Sequence, residues 1–252
     1  MTPSFSLERR TALVTGANTG LGQGLALALA AAGADIAAVG RTMPTATAES
    51  VTALGRRFEF FPADLSQPSS AGAIVAEVRK TFDAIDILVN NAGIIRRNDA
   101  LEFEERDWDD VLNVNLKSVF FLSQAVARHV IGAGRRGKII NIASMLSFQG
   151  GVRVASYTAS KSGLAGLTKL LANEWAPRGI NVNAIAPGYF VTDNTAALRA
   201  DEKRYAEILA RIPAGRWGEP SDLAGAAVFL ASAASDYVHG VILPVDGGWQ
   251  AR

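Results

Sequence analysis

The 252-residue chain is 49% hydrophobic and 19% charged, and its 25 basic and 24 acidic residues give a formal net charge of +1. Such a composition supplies a sizeable core and excludes a disordered chain, and the interspersed charges form no concentrated basic face for nucleic acid. Cysteine is absent, which excludes disulfides and thiolate metal sites.

The first ten residues lack the apolar core of a secretory signal, and no uninterrupted apolar run reaches the roughly 18 residues of a membrane span. The expectation is a soluble, cytoplasmic protein with no membrane contact. Short apolar runs then alternate with helical periodicity from end to end. Strands are expected at residues 11–15, 35–40, 57–62, 85–90, 138–143, 181–186 and 241–245. Helices are expected at 20–32, 45–54, 69–81, 104–130, 156–176, 198–211 and 221–231. This alternation argues an α/β fold: a Rossmann-type, doubly wound parallel sheet of about seven strands with helices on both faces. No linker or repeat interrupts it, so residues 1–252 read as a single dinucleotide-binding domain.

Gly16-Ala17-Asn18-Thr19-Gly20-Leu21-Gly22 follows the first strand and opens the first helix. Glycines there let the chain turn sharply and bring a pyrophosphate to free N–H groups at a helix N-terminus. Asn90-Asn91-Ala92-Gly93 ends the fourth strand with small and amide residues. Asp64-Leu65 ends the third, where the carboxylate either accepts from an adenine amine or caps a following turn. The second strand ends Val39-Gly40-Arg41-Thr42, with no acid before Glu49 to meet a ribose hydroxyl. Arg41 either meets a 2′-phosphate of NADP or is a solvated surface cation.

Tyr157 and Lys161 stand four residues apart, one turn along the same helical face. A tyrosine, with a reference pKa of about 10, is inert at neutral pH, but a neighbouring ammonium favours the phenolate. Ser144, thirteen residues before Tyr157, supplies a hydroxyl to hold the same oxygen. The chemistry indicated is alcohol/ketone redox.

The glycine-rich turn, Asn90-Asn91-Ala92-Gly93, Asn115, Ser144, Tyr157-x-x-x-Lys161 and Pro187-Gly188 together resemble a short-chain dehydrogenase/reductase of the non-extended type. The likeness runs from about residue 7 to residue 249, in the family's order and spacing. It implies Tyr157 as the acid/base and Lys161 as the group that lowers its pKa and meets the nicotinamide ribose. It further implies Ser144 as the polariser of the reacting oxygen and Asn115 as support for a water-linked proton path to Lys161. Gly16, Asn18, Thr19, Gly20, Leu21, Gly22, Asp64, Leu65, Asn91, Ala92 and Gly93 would line the cofactor channel, and Pro187-Gly188 with Thr192 would close over the carboxamide.

Substrate choice is expected from Arg96 just past the fourth strand, from Gln149 and Arg153 between the serine and the tyrosine, and from Tyr189 and Asn194 after the sixth strand. Arginines and amides around one mouth suit a small polyhydroxylated anion rather than a steroid or acyl chain. The segments 144–153, 170–175, 211–218 and 246–249 are similar to a sugar-acid branch of the family. That likeness implies interconversion of 2-keto-3-deoxygluconate and its 2,5-diketo form. The branch is taken as NAD-linked, so NAD(H) is expected over NADP(H), against the suggestion of Arg41. The family also implies a homotetramer, and no catalytic metal is expected. The alternatives are a 3-oxoacyl thioester reductase and, in another class, a non-catalytic dinucleotide sensor.

Overall fold

The computed structural model describes residues 4–67 and 70–252. Its strands are β1 (Thr11–Thr15), β2 (Asp35–Gly40), β3 (Phe58–Pro62), β4 (Ile87–Asn90), β5 (Gly137–Ile142), β6 (Ile180–Pro187) and β7 (Ile242–Val245). They form one seven-stranded sheet in the order β3-β2-β1-β4-β5-β6-β7, and every neighbouring pair is parallel. The strand order reverses between β1 and β4, and a doubly wound sheet opens a crevice at that point, beyond the strands' carboxyl ends.

The helices are α1 (Gly20–Ala31), α2 (Thr45–Ala53), α3 (Ala71–Thr81), α4 (Glu105–Leu112), α5 (Ser118–Gly132), α6 (Ala155–Trp175), α7 (Ala196–Ala200), α8 (Glu202–Arg211) and α9 (Ala224–Ala231). Successive strand residues point to opposite faces, so a sheet covered on both sides needs apolar residues at consecutive positions. In β1, Ala12 and Val14 pack under α1 and α9 together with Leu25, Leu29 and Leu230. Leu13 faces the other way, toward Val78 of α3, Leu122 and Val126 of α5 and Leu171 of α6. Burying each such leucine contributes about 1.5–3 kcal/mol. No helix among the described residues is long and apolar enough to cross a membrane.

Three elements differ from the periodicity reading. The stretch expected as one helix over 104–130 is interrupted by a π-helical turn at Asn113–Lys117. An inserted residue of this kind is placed by tertiary contacts; here it sets Asn115 inside the protein, 1% exposed. The helix expected over 198–211 breaks at Asp201, whose side chain leaves the helical ladder to accept from Arg204 N and cap α8. The third helix runs from Ala71; the expected start at Ser69 lies outside the described residues.

The turn from β1 to α1 needs two left-handed residues, and Gly16 (φ +68°) and Gly20 (φ +54°) provide them. Gly22 is required for a different reason: a Cβ there would overlap the Gly16 carbonyl and the Asn91 amide. Gly22→Ala is therefore expected to cost about 2–3 kcal/mol. Differential scanning calorimetry should show the thermal midpoint falling by about 5–10 °C.

Candidate active site

One cleft of about 630 Å³ opens at the carboxyl ends of the strands. All the residues singled out from the sequence line it except Asn115, Gln149, Arg153 and Tyr189. The cleft has a dinucleotide side, centred on the N-terminus of α1, and a reactive side between β5 and α6.

On the first side, Thr15 and Asn91 lock β1 to β4. Thr15 Oγ1 accepts from the backbone N–H groups of Asn91 and Ala92, both at 3.0 Å. Asn91 Nδ2 donates to the carbonyls of Thr15 and Gly16, also at 3.0 Å. Asn91 thus lines the channel while its amide is committed to shaping the turn. Thr47 Oγ1 holds the same loop from the other side by donating to the Ala17 carbonyl at 2.8 Å.

The N-terminus of α1 itself is unsatisfied: Thr19 makes no side-chain cap and the first turn carries no acid. Its leading N–H groups therefore face the cleft with the positive end of the helix dipole, a donor set that fits a pyrophosphate. Thr192 stands over this end, where a Cβ on Gly20 would meet its Cγ2 at 3.3 Å. Arg41 is exposed at the rim and makes no ion pair among the described residues. Asp64 caps the following turn and also lines the cleft. Its Oδ1 accepts from Ser66 N at 2.9 Å, and that bond, aided by the Ser66 side chain and the Arg41 charge, holds its carboxyl below the usual range.

On the reactive side, β5 delivers Ser144 just beyond its end and α6 presents Tyr157 and Lys161. Lys161 is 5% exposed, and its Nζ donates to the Ile142 carbonyl at 2.6 Å and lies 5.6 Å from the Tyr157 ring centre. Burial pushes its ammonium down to about 8. Tyr157 keeps some surface open to the cleft, yet desolvation raises its hydroxyl above the usual tyrosine value. A hydrogen bond with Ser144 opposes that rise, as does the charge of Arg97.

Burial penalises the charged form of both groups, the ammonium of Lys161 and the phenolate of Tyr157. Ser144 Oγ also accepts from Leu146 N at 3.2 Å, capping the 3-10 turn Met145–Ser147.

Asn115 lies behind the cleft wall. Its Oδ1 accepts from Ile94 N and its Nδ2 donates to Ile94 O, both at 2.9 Å, with a third bond to Ser160 Oγ at 3.3 Å. These bonds fix the side chain in place, and it makes none with Lys161.

The substrate residues also change places. Arg96 lines the cleft but is partly neutralised by Asp107 at 3.3 Å and Asp110 at 3.5 Å. Arg97 is the arginine whose charge reaches Tyr157, and it donates to the Asn194 carbonyl at 3.0 Å across the mouth. Both arginines follow Gly93 closely in the chain, and side-chain direction separates them. Arg153 lies outside the cleft wall with φ +63°, its carbonyl accepting from Asn98 N at 3.1 Å. Nearness to Tyr157 in sequence does not fix direction in a left-handed turn. Gln149 Oε1 accepts from Trp249 Nε1 at 3.3 Å, and Tyr189 packs against Trp217 and Trp249 with ring centres 5.4 and 4.8 Å away. Both belong to an aromatic cluster beside the mouth rather than to the cleft itself.

Comparison with known proteins agrees with this arrangement. The family model described as enoyl-(acyl carrier protein) reductase matches residues 16–250. The 2-dehydro-3-deoxy-D-gluconate 5-dehydrogenase of Escherichia coli (strain K12) is 66% identical over 249 residues, 99% of this chain and 98% of the relative. A crystal structure from Agrobacterium tumefaciens with bound NADP superposes with a TM-score of 0.94 at 60% identity, over the whole of both chains. A gluconate 5-dehydrogenase from Burkholderia cenocepacia J2315, in complex with NADP and tartrate, gives a TM-score of 0.94 at 43% identity over 98% of each chain.

The buried lysine has a thermodynamic consequence. Its folded pKa, about 8, lies below its ordinary 10.5. Between these values the unfolded chain binds the extra proton, so stability from this group rises with pH; below them the buried charge is a standing cost. In cofactor-free protein at pH 7, Lys161→Met should be more stable than the parent by on the order of 2 kcal/mol, after the lost hydrogen bond is counted. Denaturant unfolding across pH should show that advantage shrinking between about 8 and 10.5.

Proposed function

The chain belongs to the short-chain dehydrogenase/reductase family, and from that premise we propose that it interconverts 2-keto-3-deoxygluconate and its 2,5-diketo form with a nicotinamide dinucleotide. The observation that carries the reading is the 66% identity to the Escherichia coli dehydrogenase along nearly the whole of both chains, joined to a cleft that brings Ser144, Tyr157 and Lys161 together. A non-catalytic sensor would have no use for that trio. A second reading, a 3-oxoacyl thioester reductase, is favoured by 41% identity over 249 residues to a 3-oxoacyl-[acyl-carrier-protein] reductase of Vibrio cholerae. Acetoacetyl thioester reduction in place of sugar-acid turnover would select it.

When bound, the dinucleotide supplies the hydride acceptor or donor. The chain supplies orientation and proton transfer. In this reading the α1 N-terminus and Arg41 seat the phosphates, and Thr192 closes over the α1 end of the channel. Ser144 donates to the reacting oxygen, placing a hydrogen bond where charge develops. Tyr157 takes the alcohol proton in oxidation and returns one to the ketone in reduction. Lys161 supports the phenolate once ligand contacts keep its ammonium charged. Arg96 in the cleft wall and Arg97 at the mouth provide the positive field for a substrate carboxylate.

For the cofactor, the reading moves from NAD(H) to NADP(H). Arg41 stands at the rim without an ion-pair partner among the described residues, and both solved relatives above carry NADP. We further infer one dinucleotide-binding domain, on the strength of the unbroken sheet, and a cytoplasmic homotetramer. The tetramer is supported by Trp108 on α4, Phe121 on α5 and Leu170 on α6, which are 40%, 38% and 47% exposed on neighbouring helices.

The test is an assay of purified protein with 2-keto-3-deoxygluconate, offering NAD and NADP in parallel. Turnover on the sugar acid with a preference for NADP is expected. Absence of turnover with either cofactor would remove the substrate assignment. Tyr157→Phe should lower kcat by at least about 10³-fold, while fluorescence titration shows dinucleotide affinity little changed. Arg41→Ala should raise the KM for NADP by roughly tenfold or more, through loss of a charge-assisted phosphate contact, and leave the KM for NAD nearly unmoved.

A further inference from the structure

Two hydrogen bonds running in opposite directions fasten the turn after Ser144 to the helix that carries Tyr157 and Lys161. Ser147 Oγ donates to the main-chain carbonyl of Lys161 at 2.6 Å. Ser162 Oγ donates back to the main-chain carbonyl of Leu146 at 3.0 Å. Leu146 in turn gives its N–H to Ser144 Oγ, and Ser144 lines the same cleft as Tyr157. Neither Ser147 nor Ser162 lines the cleft.

The direction of these bonds is informative. A helical serine or threonine ordinarily satisfies its hydroxyl on its own helix, at the carbonyl three or four residues back. Ser160 and Thr168 of the same helix do so, bonding Tyr157 O and Leu164 O at 2.8 Å each. Ser162 instead reaches out of the helix to the turn. Ser147 likewise passes over its own turn and takes a spare lone pair on a helix carbonyl.

A three-residue 3-10 turn has poor hydrogen-bond geometry and cannot hold its own position, so its placement comes from what it is tied to. On the other side, Met145 anchors it in the cluster of Ile208, Ile212, Trp217 and Trp249. Lys161 is tied at both ends, by its carbonyl to Ser147 and by its Nζ to Ile142.

We infer that Ser147 and Ser162 are positioning residues for proton transfer, their reciprocal hydrogen bonds setting Ser144 at working distance from Tyr157. The inference rests on the dehydrogenase reading only for its kinetic readout. Neither residue touches the reacting atoms. Each acts through the Leu146 peptide and the Lys161 backbone, which a loosened turn would let slide apart.

The test compares Ser147→Ala, Ser162→Ala and the double variant with the parent and with Ser144→Ala. The Tyr157 ring resonance is followed by NMR on ring-labelled tyrosine, assigned by its loss in Tyr157→Phe. In each alanine variant it should move from the parent position toward that of Ser144→Ala. kcat should fall by about tenfold, the scale of a small misplacement of a reacting group, with both KM values within about twofold. Ser147→Thr and Ser162→Thr should restore most of both.

A resonance that stays at the parent position overturns the inference, whether kcat is unchanged or falls for some other reason. If the parent itself fails to turn over the sugar acid, the proposed function falls and the resonance alone decides this point. Ser162 is exposed on a helix, where alanine is well tolerated, so that variant decides if Ser147→Ala does not fold.

Discussion

The clasp between Thr15 and Asn91 is the constraint on which the rest of the site depends. β1 and β4 are neighbours in the sheet but diverge beyond their last paired residues, because the strand order reverses there. Left alone, the ends would carry unpaired carbonyls and amides into a crevice, at a cost per group comparable to a lost hydrogen bond. Four hydrogen bonds from two side chains satisfy them. The same bonds fix Gly16, and Gly16 fixes where α1 begins. A helix that begins there points its free N–H groups into the crevice.

The reactive side is built on the opposite economy. Lys161 is held in a nearly dry position with a single main-chain acceptor, and burial disfavours its ammonium. Tyr157 is disfavoured as a phenolate for the same reason. Burial thus acts against the charged form of both groups, and perturbed titration of this kind is common at acid/base sites. The clasp at Ser147 and Ser162 belongs to this logic. Its two hydrogen bonds tie the turn after Ser144 to the helix that carries both groups.

At the mouth, cations are distributed unevenly. Arg96 is shared with two carboxylates, whereas Arg97 bridges to the backbone of the segment after β6 and projects its charge toward Tyr157. A site assembled this way holds positive potential near the reacting oxygen without a free charge buried in the wall. Among the described residues no group of three or more histidine, cysteine or acidic side chains is placed to hold a metal ion.

Much of this was legible in the linear sequence, and the reason is local. Strand and helix periodicity, the glycines of the β1–α1 turn and the four-residue step from Tyr157 to Lys161 are short-range features, and short-range sterics and hydrogen bonding dictate them. Seven parallel strands, the carboxyl-end cleft and the grouping of Ser144, Tyr157 and Lys161 followed. Direction and partnership did not. Asn115 reads as a lone amide on a long helix until a π turn, set by packing, rotates it onto Ile94. Arg153 reads as the cation nearest Tyr157 until a left-handed backbone turns it outside the cleft wall, while Arg97 takes the nearer place. The effect of Lys161 on Tyr157 likewise depends on how much water each retains. Side-chain direction and desolvation are properties of contacts between distant segments, so only the tertiary structure decides them.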